Sequence, residues 1–226
     1  MSTSLPVIKI KANANQHAWF LILVGGIMAI LTLLLSQHYG QDDRLVFIFL
    51  YLQALVIIII GLFKCSEPKY SFYLTPQGIQ YNHRYGTWNI EWQQIQNINI
   101  IRETFGLLSV DLPYIGIKLK NITPLADQIS PRLANKLIHE QRPLLGFSFK
   151  HHLLSLEQTQ LNFTSFTLQS GQIIKGPLAA FMHHSQALQS SMGYHLYLPE
   201  TSIDREVTEF CQLLNQCMAA SINYQE

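Results

Sequence analysis

The sequence predicts an α+β chain: an N-terminal transmembrane helical hairpin, then a domain of antiparallel strands closed by a C-terminal helix, with a helical insertion. Three observations predict it. Two long runs near the start contain no charged residue. From Tyr70 the apolar residues switch from helical spacing to alternation. Near the end they return to helical spacing, with Ile203, Val207, Phe210, Leu214 and Cys217 on one face.

The first run is Ala18 to Leu35 and the second Leu45 to Phe63. A helix of about 18 residues covers roughly 27 Å, close to the apolar thickness of a bilayer. A core helix of a soluble protein carries a polar stripe, and these runs carry none. The first begins after a polar leader holding Lys9, Lys11 and His17, and Ser36-Gln37-His38 is a poor cleavage site, so it reads as a retained anchor. Residues 36–44 form a polar loop with Gly40 at its turn, which makes the helices antiparallel neighbours. Lys9, Lys11, Lys64 and Lys69 flank the outer ends, against Arg44 beside Asp42 and Asp43 in the loop. That asymmetry places both termini in the cytoplasm. Trp19 and Tyr39 are expected at opposite interfaces, and Gly25 with Ala29 offers a small face for close helix approach. Gln53 is expected to face the first helix or a partner subunit, because hydrocarbon leaves its amide unpaired. The bounds are 1–17 for a cytoplasmic leader, 18–63 for the hairpin and 66–226 for the domain.

In the domain, Tyr70 to Leu74 is strand-like and Thr75-Pro76-Gln77-Gly78 is a turn. Ile79 to His83 pairs back, and Arg84-Tyr85-Gly86 turns the chain into a short strand, Thr87 to Ile90. Glu91 to Gln94 is a tight corner before a strand from Ile95 to Arg102. A loop around Phe105-Gly106 precedes Tyr114 to Lys120, whose alternation of apolar with small or basic residues reads as an edge strand. An insertion of about 121–192 opens with a helix capped by Ser130 and started by Pro131, which Pro143 ends or kinks. Leu161 to Ile174 reads as one or two strands, and Gly176 to Met192 as a helix stopped by Gly193. Tyr194 to Leu198 is the last strand. Thr201 with Asp204 reads as a capping box for the final helix, which frays beyond Ala220.

Net charge is +1 over 226 residues and charged residues make up 13%, which argues against a nucleic-acid partner. The three cysteines, Cys65, Cys211 and Cys217, lack CxxC spacing and fit a reducing compartment. No GxSxG, HExxH, GxxxxGK[ST] or GxGxxG is present, so neither a nucleophile nor a cofactor is expected.

Thr75, Pro76, Gly78 and Ile79, followed by Trp92 and Ile95, resemble the opening of bacterial pleckstrin-homology-like domains. The resemblance implies an antiparallel β-barrel or sheet plugged by a C-terminal helix, here Ile203 to Met218. The two helices, the Gly193 to Pro199 strand and Asp204-Arg205 are also similar to an uncharacterised family of Gram-negative membrane proteins, a domain of unknown function. That resemblance implies residence in the inner membrane.

Candidate sites are few. The basic face Arg132, Lys136 and His139, with Arg142 nearby, is the best binding candidate, for anionic lipid or a protein partner. The histidine pairs His151-His152 and His183-His184, with His195, lack converging metal-ligand spacing. Trp88 and Trp92 are expected to pack the strand corner, and Cys211 and Cys217 to be inert. The sequence therefore reads as a non-catalytic membrane protein whose domain mediates protein or lipid contacts, with self-association through the hairpin open and the Tyr114–Lys120 edge available to a partner's strand. The alternative is a membrane-bound metal-dependent hydrolase using the histidines with Asp111, Asp127 or Glu140.

Overall fold

The segment Ile8–Ile10 (β1), which precedes both long helices, pairs antiparallel with Phe72–Leu74 (β2), which follows them. The computed structural model describes residues 7–11, 17–39, 44–105 and 108–223. The chain divides into a helical unit, Ala12 to Lys69, and a domain built from the residues up to Lys11 together with those from Tyr70 onwards. The leader strand Ile8–Ile10 is therefore part of the domain, and both long helices lie between it and β2 in sequence.

In the helical unit, Ala18–Tyr39 (α1) and Arg44–Cys65 (α2) are both long and apolar enough to cross a membrane. α1 runs four residues past the first uncharged run, to Tyr39, and α2 begins one residue before the second, at Arg44. The Gly40 turn and the Asp42-Asp43 pair lie outside the described residues, as does the Tyr39 side chain. Small residues set the helix seam. A Cβ at Gly25 would lie 2.6 Å from Ile58 Cγ1, and one at Gly61 2.6 Å from Ile22 Cγ1. Ala54 is buried between them. Gln53 does not face α1. It is exposed, about 100° around α2 from Ala54.

In the domain, β1 and β2 continue through Gly78–His83 (β3) to Gly86–Glu91 (β4) as a four-stranded sheet. Thr75 Oγ1 accepts from the Gly78 N–H at 3.1 Å, and the Thr75 N–H donates to Gly78 O at 2.9 Å. Trp92 locks this turn from the far side: its indole N–H donates to Thr75 O at 2.9 Å and its backbone N–H to Gln77 O at 3.0 Å. The motif residues thus form one hydrogen-bonded corner, on a 3-10 turn at Trp92–Gln94.

That corner leads into a second sheet, Ile95–Phe105 (β5), Leu108–Leu119 (β6) and the later Leu196–Pro199 (β9). Register shifts at Ile95/Asn97 and Ile100/Arg102 explain why Ile95, Ile98 and Ile101 all point inward despite their threefold spacing. The strands run up to residues 106 and 107, which lie outside the described residues. Where an edge is expected at Tyr114 to Lys120, the structure places an interior strand. Ile115 pairs with Ile100 on one side and Leu198 on the other, and Ile115, Ile117 and Leu119 are buried. Among the described residues the sheets do not close into a barrel.

Residues 121–192 share the core of the strands through Leu125, Leu133, Phe181 and Met182. They form Thr123–Gln128 (α3), Pro131–Lys150 (α4), Leu156–Thr159 (α5), the two-residue strands Phe166–Thr167 (β7) and Ile173–Ile174 (β8), and Pro177–Met192 (α6). Pro143 does not end α4. The carbonyl it leaves without an N–H is that of His139, on the exposed face where water can reach it. Gly193, at φ 87°, stops α6 as expected.

The last helix is Val207–Asn223 (α7), and Thr201 does not cap it. Residues Glu200–Ser202 form a 3-10 turn, and Asp204 instead accepts from the Lys11 N–H at 3.4 Å and Arg205 Nε at 2.9 Å. Helix α7 joins the two sheets. The Phe210 ring packs, tilted, 5.6 Å from Phe72 of the first, and Asn215 Nδ2 donates to Ile98 O of the second at 3.2 Å.

Candidate functional site

Helix α4 is fixed at its start by Ser130, whose hydroxyl accepts from the Leu133 N–H at 3.2 Å and donates to Tyr85 O at 2.6 Å. Leu133, Ala134, Leu137, Ile138, Leu144 and Leu145 are buried on one side. The opposite side exposes Arg132, His139 and Arg142. Lys136 is half-buried and spans one turn to Glu140 at 3.2 Å, so its charge is compensated locally. The predicted four-residue basic face is three exposed residues and one ion pair.

Polar groups on the buried side of α4 anchor it. Tyr114 donates to Glu140 O at 3.0 Å, and burial, then the Glu140 charge, raises its pKa. Gln141 Nε2 donates to Tyr197 O at 3.4 Å and Ser148 Oγ to Ser191 Oγ at 3.2 Å. From α6, Ser185 donates to His195 O at 2.6 Å, while Tyr197 of β9 donates to Leu188 O at 3.1 Å. The sequence offers no periodic signal for these contacts, since each is a polar residue on an apolar face.

A cleft of about 380 Å³ opens beside Arg142, walled by Ile138, Leu145, Leu161 and His184. An adjoining hollow of about 400 Å³ adds Glu157, Asn162 and His183. His184 is 5% exposed, and neither ring nitrogen has a hydrogen-bond partner among the described residues. Burial lowers its pKa to about 4, so the ring is neutral.

The other histidines serve separate elements. His183 meets the Phe166 ring edge-on at 5.0 Å, and His151 packs against Phe147 at 4.5 Å. His195 Nδ1 accepts from the Leu119 N–H at 3.1 Å, and burial, then Lys118, lowers its pKa. Asp111 pairs with Arg102 at 3.0 Å on the second sheet, and Asp127 is exposed on α3. Among the described residues, no three His, Cys, Asp or Glu side chains are placed to hold a metal ion. Trp88 is buried against Phe72 and Tyr81. Burial raises the pKa of Cys211 and of Cys217, which suits packing rather than attack.

A family profile described as "Protein of unknown function (DUF2982)" matches residues 72–220. No curated protein and no solved structure matches the chain.

Proposed function

The chain belongs to this DUF2982 family of unknown function, and from that premise we propose that it is a non-catalytic, membrane-anchored binding module. The observation that carries the reading is the pairing of β1 with β2. Residues on either side of the hairpin fold into one sheet, which supports a topology with both outer ends of the hairpin on one side of the bilayer. Lys9, Lys11, Lys64 and Lys69 favour the cytoplasm as that side. The Gram-negative inner membrane is the compartment that the family resemblance implies. The Thr75–Trp92 corner and the bridging helix α7 support kinship with pleckstrin-homology-like domains, in an open-sheet form.

The ligand of this module is an anionic lipid headgroup. Arg132, His139 and Arg142 line one exposed face of α4, each arginine near a charged membrane contributing about 1 kcal/mol. β9 occupies the edge from Tyr114 to Ile117, which weighs against strand addition there. Dispersal of the histidines and carboxylates over separate elements weighs against the hydrolase alternative.

Two measurements on the full chain in nanodiscs test this. Thiol labelling of Lys11→Cys and Ser66→Cys variants in a Cys65→Ser background, from each side of the membrane, should find both on one side. A spin label at exposed Asn135, placed by Asn135→Cys in a Cys65→Ser background, should move closer to the lipid phase when anionic lipid is added. Arg132→Ala with Arg142→Ala should abolish that movement. An Asn135 position indifferent to lipid charge refutes the lipid assignment.

A further inference from the structure

We propose that the hairpin pairs with a second copy of this chain along the face of α2 that carries Gln53. The proposal rests on the membrane reading of α1 and α2. Packing between the two helices is complete without Gln53, since Gly25, Ala54 and Gly61 form the seam. Gln53 lies on the flank, exposed, with no hydrogen-bond partner among the described residues.

Its depth makes that position costly. It is about 14 Å along the helix from Arg44 and about 18 Å from Cys65, near the middle of a hydrocarbon layer roughly 30 Å thick. Too short to reach either interface from there, its amide needs a partner inside the membrane.

The residues around it form a seam. Val46, Phe49, Gln53, Val56, Ile60 and Phe63 recur at alternating intervals of three and four, the spacing of a left-handed helix pair. All are exposed: Val46 54%, Phe49 66%, Val56 47%, Ile60 46% and Phe63 61%. Gln53 is the polar position within an otherwise apolar stripe, the arrangement that fixes register in helix pairs.

The occupant follows from chemistry. A carboxamide both donates and accepts, so it complements itself. A two-fold axis along the bilayer normal brings position 53 of one copy against position 53 of the other at equal depth. The second copy thus supplies the required polar group by symmetry.

The test uses the full chain in bilayers, with Cys65→Ser throughout because Cys65 is exposed. Single cysteines at Val46, Phe49 and Val56 should cross-link between copies. Leu55, 52% exposed on the opposite flank, should not. Energy transfer between labelled copies at varied lipid ratio should show Gln53→Leu weakening association about three- to thirtyfold, with Gln53→Asn retaining it. A monomer at all ratios, equal cross-linking at Leu55, or association unchanged in Gln53→Leu overturns the proposal. Release of the chain from membranes without detergent would instead overturn the membrane reading.

Discussion

Ile10 and Phe72 face each other directly across adjacent antiparallel strands, although both long helices lie between them in sequence. Both are fully buried, and Phe72 packs in turn against the tilted ring of Phe210 of the last helix. The leader therefore supplies core. Truncating Ile10 leaves a cavity under the first sheet, and Ile10→Ala should cost about 3 kcal/mol. Removing residues 1–11 should cost more, since β2 would also lose its ladder partner. Equilibrium unfolding of the detergent-solubilised chain, followed by tryptophan fluorescence, checks both. An Ile10→Ala chain as stable as its parent contradicts this account of the core.

Much of this fold is legible in the sequence, and the parts that are not have specific causes. The two membrane-length helices, the Thr75–Gly78 turn, the Ser130 cap and the Gly193 stop rest on local chemistry, and the structure has each of them. Strand β1 shows the period-2 signal in Ile8-Lys9-Ile10, but a three-residue segment ahead of a membrane-length helix reads as leader, because strand pairing across such a gap leaves no local trace. Likewise, Gly116 and the lysines made β6 look like an edge strand. Gly116 is small because Tyr194 packs over it, where a Cβ would come within 2.4 Å of the ring. Thr201 is no cap because it lies in the 3-10 turn Glu200–Ser202, six residues before α7 begins at Val207. Of the candidate site, the exposed cations were legible. The burial of His184 was not, because adjacent histidines in a helix give no sign of which one turns inward.

Gly78 tests the corner. A Cβ there would fall 2.2 Å from the backbone oxygen of Ile90, closer than any flexible side chain could relieve. Gly78→Ala must push β3 from β4 or open the Thr75 turn that Trp92 holds. The expected loss is about 3 kcal/mol, with a changed tryptophan emission because Trp92 loses its bond to Thr75. Wild-type stability with unaltered emission would show that the corner yields more easily than the geometry implies.

The ion pair between Arg102 and Asp111 should matter little. It is short at 3.0 Å, but the side chains are 67% and 46% exposed. Water screens such a pair, and Asp111→Asn should change stability by less than about 0.5 kcal/mol. Thermal unfolding of parent and variant at low and high salt is the check, and a large, salt-sensitive loss would reveal a role beyond the surface.

His184 gives the domain a pH dependence whose direction is fixed. Folding holds the ring neutral, with its pKa lowered to about 4 by burial, whereas an unfolded histidine titrates near 6.5. Below that higher value the unfolded chain takes up a proton that the folded one refuses. The stability associated with neutral His184 is thus intact above about pH 6.5, falls as pH drops toward about 4, and levels off below. At 5% exposure solvent screening is slight, and the loss should approach about 3 kcal/mol. Arg142 of α4 and Glu157 of α5 line the adjoining hollows, and His195 is lowered in the same direction, so the parent curve alone mixes several groups. The difference between parent and His184→Leu isolates the ring. The variant should lose about 3 kcal/mol less than the parent between pH 7 and pH 4, and parallel curves would mean that His184 reaches solvent in the folded chain.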